Sequence, residues 1–204
     1  MTPTTVAPAS QRRGAVSDED DWAALAAGAH PAAFRSLFDK HRKAVYNHCF
    51  RSLGDWSAAE DATQAVFLAL WRRALSGTVI RLVGDTARPI LLGMARQECL
   101  AHQRSRGRQA HLRERVTLLH GRDESANVDA WVAAEDTMGA IREALASLPQ
   151  DQRDVVELVC WSELTMAQAA QVLHVAEGTV KSRLSRARST LAATRAASLV
   201  GAHR

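Results

Sequence analysis

The side chains best suited to chemistry in this sequence are arginines, and the chemistry they suit is the binding of phosphate groups. Residues 165–188 read TMAQAAQVLHVAEGTVKSRLSRAR, an apolar segment followed by a tight turn and a basic segment. Val180, Leu184 and Ala187 recur there at helical spacing and predict a buried face. This layout is typical of a helix-turn-helix whose second helix binds DNA. The side chains left to face DNA are Thr179, Lys181, Ser182, Arg183, Arg186 and Arg188.

A second basic segment lies far upstream. Residues 88–115 contain seven arginines and two glutamates, although the net charge of the whole chain is only +4. Acidic residues are gathered elsewhere, at 18–21 and 122–136. Charge distributed in patches indicates surfaces that bind a polyanion. The alternative is a set of solvated helix faces.

The sequence offers no constellation for catalysis. It lacks a glycine-rich phosphate loop, a paired-carboxylate pattern and a nucleophile with a base nearby, so we do not expect an enzyme. Cys49, Cys99 and Cys160 form an odd, scattered set, which argues against disulfides and for a reducing compartment. Cys99 and His102 have metal-ligand spacing, but no second pair accompanies them, and we expect neither metal nor cofactor.

Nothing in the sequence indicates export or a membrane anchor. Residues 1–16 lack the apolar core of a signal peptide. The longest apolar run, near residues 90–95, is too short to cross a bilayer. We therefore expect a cytoplasmic, soluble protein without membrane insertion.

The elements that must position the basic side chains are helices. Apolar periodicity predicts an all-α protein, with helices over about 17–28, 32–53, 57–75, 88–115, 129–147, 150–161, 165–173 and 177–196. His174 is placed where the chain must turn in the left-handed conformation. The expected helix N-caps are Ser17 with Asp20, Ser57 with Glu60, and Thr165 with Gln168.

Composition divides the chain into two helical domains. Residues 1–16, rich in Pro, Thr and Ala, predict a disordered tail. The first domain is expected over 17–117 and the second over 135–198, with a short tail at 199–204. A polar stretch at 120–128 marks the linker between them, which we place at 118–134.

Two stretches of the chain together resemble one family. Residues 148–188, LPQDQRDVVELVCWSELTMAQAAQVLHVAEGTVKSRLSRAR, resemble the region 4 domain of bacterial RNA polymerase sigma factors of the extracytoplasmic-function group. Residues 34–74, FRSLFDKHRKAVYNHCFRSLGDWSAAEDATQAVFLALWRRA, are similar to region 2 of the same group. The resemblance covers about 22–115 and 135–195, in the family's order. It implies a protein that binds core RNA polymerase and directs promoter recognition and transcription initiation.

The resemblance also implies a role for each surface. The Asp61, Gln64 and Leu68 face, with Trp71 a turn further on, would dock on the clamp helices of the polymerase β′ subunit. The second helix of the helix-turn-helix would enter the major groove of the −35 element. The loop at 76–87 lies where relatives capture a flipped base, and no residue is assigned there. Other implied partners are the β-subunit flap, promoter DNA and an anti-sigma factor. The helix at 88–115 would meet the −10 element and neutralise phosphates through Arg96, Arg104, Arg106 and Arg108.

Departures from the family pattern leave two alternatives open. Relatives usually carry an acidic residue, Trp, Asn and Gly where this chain has Ala65, Ile90, Gln97 and His174. The missing carboxylate at Ala65 fits a sigma-like interaction module that is held by, or competes for, a partner. The other alternative is a helix-turn-helix regulator of the LuxR or response-regulator type, with residues 22–115 as a sensor or dimerisation domain.

Overall fold

The computed structural model describes residues 17–82, 84–117 and 144–201, with side chains omitted at 109–117 and 194–201. Its regular elements within these ranges are helical and include no strand, so the all-α prediction is confirmed. The expected tail at 1–16, the linker at 118–134 and most of the helix expected at 129–147 lie outside the described residues. The helices are α1 (Glu19–Ala27), α2 (Pro31–Leu53), α3 (Trp56–Leu75), α4 (Arg88–Thr117), α5 (Gln150–Val155), α6 (Met166–Leu173) and α7 (Glu177–Gly201).

Of the three expected caps, the one at Ser57 is wrong and the one at Ser17 is displaced by one residue. Gly54 ends α2 in the left-handed conformation, so Asp55 rather than Ser57 caps α3 and accepts a 2.8 Å hydrogen bond from the Ala58 N–H. At α1 the N-cap is Asp18, which makes no side-chain cap. Its carboxylate instead accepts a hydrogen bond from the Ala87 N–H at 2.8 Å. The neighbouring Ser17 Oγ accepts a hydrogen bond from the Glu19 N–H at 3.2 Å, so the local contact is made by the residue before the N-cap.

Helices α1 to α4 enclose the first core. Leu37, Val66 and Leu91 are fully buried there, on α2, α3 and α4 respectively. The buried Asp18 carboxylate links the start of α4 to α2, because it accepts from the Ala87 N–H and also lies 2.6 Å from His41 Nε2. Burial raises the pKa of Asp18, but the Ala87 N–H and His41 outweigh it and hold that pKa below its usual value. These contacts fix the position of the N-terminal end of α4 within the bundle.

The second core belongs to the carboxyl-terminal helices. Val155, Leu158 and Val180 are fully buried in it. After Val155 the α5 helix widens into a π-helical segment, Val156–Trp161, which the periodicity did not predict. The core also includes Leu92 of α4, which is 0% exposed. The two cores therefore share helix α4.

Candidate nucleic-acid interface

Helices α6 and α7 form a helix-turn-helix whose turn is built from local signals. The capping box at α6 is confirmed: Thr165 Oγ1 accepts from the Gln168 N–H at 3.2 Å, and Gln168 Oε1 accepts from the Thr165 N–H at 3.0 Å. His174 ends α6 in the left-handed conformation, with φ 54° and ψ 44°, as expected. Helix α7 then begins at Glu177.

Helix α7 buries one face and leaves polar side chains on the others. Val180, Leu184 and Ala187 are at most 2% exposed, which confirms the expected buried face. Arg186 donates to Ser182 Oγ at 3.3 Å. Arg183 is half-buried, and its Nε lies 3.0 Å from Asp151 Oδ2, so part of its guanidinium is already engaged within the domain. Thr179 is half-buried, whereas Lys181, Ser182, Arg186 and Arg188 are exposed.

The arginines of α4 do not form a single patch. Arg104, Arg106 and Arg108 are exposed, but Arg96 is half-buried and its Nη2 contacts Asp154 Oδ2 at 2.5 Å. The helix is continuous, so Arg104 and Arg108, four residues apart, share a face, while Arg106 points about 160° away from Arg104. Of the exposed arginines, Arg104 and Arg108 therefore lie on one surface of α4, and Arg106 lies on another.

A cavity lies beside the Arg104 face, where α4 meets the loop at 76–87 and α6. Its volume is about 450 Å³, and Ile90, Gly93 and Gln97 of α4 form one wall. Arg73 and Arg81 line it from the other side, and no sequence pattern predicted a role for either residue. The loop is held in place because the Trp22 Nε1–H donates to the Ile80 carbonyl at 2.8 Å. The cavity therefore combines an apolar wall with cations.

The Asp61 face of α3 borders an apolar groove. Asp61 and Gln64 are exposed, Leu68 is 48% exposed and Trp71 is half-buried. The Trp71 ring packs edge-on to Phe34 with centroids 5.1 Å apart. Phe34 lines a groove of about 760 Å³, together with Phe38, Phe67, Leu68 and Trp71. An apolar floor with a polar rim is suited to binding a helix of another protein.

Neither a metal-ligand cluster nor a membrane-spanning helix is found in the described part of the chain. Within residues 17–82, 84–117 and 144–201, no three His, Cys, Asp or Glu side chains are grouped closely enough to hold a metal ion. Cys99 is buried beside Cys49 in the first core. No helix in the described part of the chain is both long and apolar enough to span a membrane.

Comparison with known proteins identifies relatives across both domains. The family model for sigma-70 region 2 matches residues 37–109, and the model for sigma-70 region 4 matches residues 138–191. The chain is 35% identical over 164 residues to the ECF RNA polymerase sigma factor SigL of Mycobacterium tuberculosis, covering 78% of this chain and 86% of SigL. It is 29% identical to the sigma factor SigK of Mycobacterium bovis, covering 82% of this chain and 88% of SigK.

Two solved structures have a similar fold. CnrH, in complex with the cytosolic domain of CnrY, superposes with a TM-score of 0.65 at 22% identity, over 88% of this chain and 97% of CnrH. The sigma factor RpoE of Bartonella quintana, in complex with the anti-sigma factor NepR, gives a TM-score of 0.58 at 25% identity, over 78% of this chain and 93% of RpoE.

Proposed function

The chain belongs to the extracytoplasmic-function (ECF) group of RNA polymerase sigma factors, and we propose that three of its surfaces bind the polymerase, the −10 element and the −35 element respectively. As a member of that group it binds core RNA polymerase and directs promoter recognition and transcription initiation. The observation that carries the proposed division is that α3, α4 and α7 each keep polar or cationic side chains exposed outside the cores.

The polymerase-binding surface is the Asp61 face of α3. Its partner is the pair of clamp helices of the β′ subunit. Leu68 enters the interface because it is 48% exposed beside the apolar groove, and Trp71 supplies the aromatic edge. Asp61 and Gln64 form the polar rim. This arrangement supports binding without the acidic residue that relatives carry at the position of Ala65.

The −10 surface is the face of α4 that carries Arg104 and Arg108. These two guanidinium groups neutralise phosphates of the promoter backbone, independently of the base sequence. The same face continues into the cavity lined by Arg73 and Arg81, so the DNA strand has a cationic path across the domain. Arg96 joins this surface only when it leaves Asp154.

The −35 surface is the exposed side of α7. The N-terminal end of this helix leads into the major groove, with free N–H groups available to a phosphate. Arg186 reads bases, and Arg183 does so with the guanidinium atoms that Asp151 leaves free. Lys181 and Arg188 hold phosphates, and Thr179 and Ser182 supply hydroxyl contacts.

Further partners follow from the same assignment. The helix-turn-helix domain contacts the β-subunit flap, which sets its distance from the −10 surface. An anti-sigma factor is a further proposed partner, since a sigma factor of similar fold, RpoE, is bound to the anti-sigma factor NepR. The site of action is the cytoplasm, and the catalytic chemistry belongs to the polymerase. The alternative regulator of the LuxR type is not favoured, because residues 37–109 match region 2.

The clamp assignment is tested by reversing one charge. Asp61→Arg should weaken binding of the full chain to core polymerase about tenfold, while leaving the fold intact because Asp61 is exposed. Asp20→Arg, an equal change at the exposed acidic start of α1, is the matched control and should bind normally. A folded Asp61→Arg protein that binds core polymerase as tightly as the control would remove this face from the interface.

A further inference from the structure

Helix α1 and its N-cap hold the loop at 76–87 at two separate points. Trp22 of α1 is 2% exposed, and its Nε1–H donates to the Ile80 carbonyl in the middle of the loop at 2.8 Å. Near the end of the loop, the Asp18 N–H donates to the Asp85 carbonyl at 2.9 Å. Both bonds run to backbone carbonyls, so they fix the path of the loop whatever its side chains are.

The Asp18 carboxylate extends this attachment to the start of α4. Its Oδ2 atom accepts from the Ala87 N–H at 2.8 Å and from the Thr86 hydroxyl at 3.2 Å, and it lies 2.6 Å from His41 Nε2. Asp18 is only 1% exposed. A charged acceptor makes stronger hydrogen bonds than a neutral one, and burial strengthens them further. The junction between the loop and α4 is therefore fixed by a group that belongs to neither element.

The side chains that the middle of the loop presents to the cavity are Ile80 and Arg81. Ile80 is 50% exposed although it is large and apolar, whereas Val79 and Leu82 on either side pack against the first core. Arg81 is exposed, and no carboxylate in the described part of the chain pairs with it. An apolar side chain beside an available guanidinium group suits a nucleotide, which offers a base and a phosphate.

We propose that Asp18 and Trp22 are positioning residues that determine the −10 preference of this protein without contacting DNA. Both are almost fully buried, so each acts through the loop that it holds. A loop released from α1 would present Arg81 to the promoter in a smaller fraction of molecules, and discrimination at the −10 element would fall. The inference rests on the proposed −10 function of the Arg104 face and the cavity beside it.

The first pair of variants separates a lost loop contact from a weakened core. Trp22→Phe keeps an aromatic ring in the core and removes the N–H group that the Ile80 carbonyl accepts from. Leu25→Ala is the matched control, because Leu25 is fully buried in the same helix and its side chain has no hydrogen-bonding group. Truncating a buried leucine destabilises a core strongly, so an effect that merely follows stability would appear in the control as well.

The second pair removes one negative charge from the same end of α1. Asp18→Asn weakens the charge-assisted bonds to the start of α4. Asp21→Asn is its control, because the Asp21 carboxylate accepts from the Ser36 hydroxyl at 2.6 Å and from Lys40 Nζ at 2.9 Å, both on α2. A general effect of lost charge on DNA binding would appear equally in the two variants.

Three measurements are made on the full-length chain. Amide hydrogen exchange of the free chain reports the freedom of residues 78–82. A promoter library with randomised −10 and −35 blocks, scored with each holoenzyme, reports preference, and a titration reports core affinity. Trp22→Phe should speed exchange in the loop about tenfold and reduce discrimination at −10 positions about threefold to tenfold, with −35 preference and core affinity changed by less than about twofold. Asp18→Asn should relax the same −10 positions, and Leu25→Ala and Asp21→Asn should relax none.

A combined variant tests whether Trp22 acts through the loop. Replacing Ile80 and Arg81 together with Ala should relax the same −10 positions as Trp22→Phe. Adding Trp22→Phe to that pair should then change the preference by less than about twofold, because residues that act through one another are not additive. A merely structural role would give losses that add.

The inference is overturned if folded Trp22→Phe and Asp18→Asn chains keep the wild-type −10 preference, or if the two control variants lose as much. If Trp22→Phe does not fold, Asp18→Asn and its control decide the question. A wild-type holoenzyme without any −10 preference would instead overturn the proposed function, and loop exchange in the free chain would still show whether α1 holds the loop.

Discussion

Replacing Arg104 and Arg108 of α4 should lower the salt dependence of promoter binding, whereas replacing Arg106 should leave it unchanged. Arg104 and Arg108 share one face of the continuous helix. Arg106 lies about three turns beyond Ala95, on the stripe that faces the first core. Arg104→Ala with Arg108→Ala should remove two phosphate contacts, whereas Arg106→Ala should remove none.

The size of the effect follows from counterion release. Each phosphate contact contributes about 0.7 to the log–log salt slope on single strands and about 0.9 on duplex DNA. Losing two contacts should lower the slope by about 1.4 to 1.8. Between about 50 and 200 mM salt, the wild-type holoenzyme should therefore lose roughly seven- to twelvefold more affinity than the double variant.

The assay is fluorescence anisotropy of a labelled promoter fragment, titrated with holoenzyme across a salt series. Arg106→Ala serves as the control of equal chemistry on the same helix. An unchanged slope in the double variant would refute the backbone contact. A slope lowered equally by Arg106→Ala would refute the assignment of Arg106 to a face of α4 that does not contact DNA.

Three further predictions address the second domain. Arg186→Ala should lose discrimination at particular −35 positions by about 1–3 kcal/mol, whereas Lys181→Ala should weaken all sequences alike; a promoter library scored with each holoenzyme separates the two. His174→Gly should stabilise the folded chain by about 0.5–1 kcal/mol in thermal unfolding, since a φ of 54° strains any residue but glycine. Burial raises the pKa of Glu157 from 4.5 to about 7 in the folded chain. The free energy of unfolding should therefore fall by about 3 kcal/mol as the pH rises between these values, and Glu157→Gln should abolish that fall.

Several helix ends and faces that depend on immediate neighbours agree with the sequence prediction. The capping box of Thr165 and the left-handed turn at His174 are examples, because both form within one turn of helix. The buried positions Val180 and Leu184 follow from periodicity alone. The caps differ from the prediction where an adjacent turn or a distant partner intervenes, as at Asp55 and Asp18.

Contacts between distant segments were not predictable from the sequence. Asp154 and Arg96 are 58 residues apart, and nothing in either segment marks them as partners. The direction of Arg106 follows from the continuity of α4, whereas the density of arginines in this segment predicts only a basic patch and not the face on which each arginine lies. The roles of Arg73 and Arg81 depend on a cavity that forms only when the loop at 76–87 meets α4.

The most direct test of the central claim is transcription by sigma-free core polymerase supplied with this protein. Fragmented genomic DNA serves as the template, and the 5′ ends of the transcripts are mapped with and without the chain. We expect new start sites that share two sequence blocks, upstream of each start at −10 and −35, and that vanish when Asp61→Arg replaces the wild type. Start sites that do not change when the protein is added, despite its binding to core polymerase, would contradict the account.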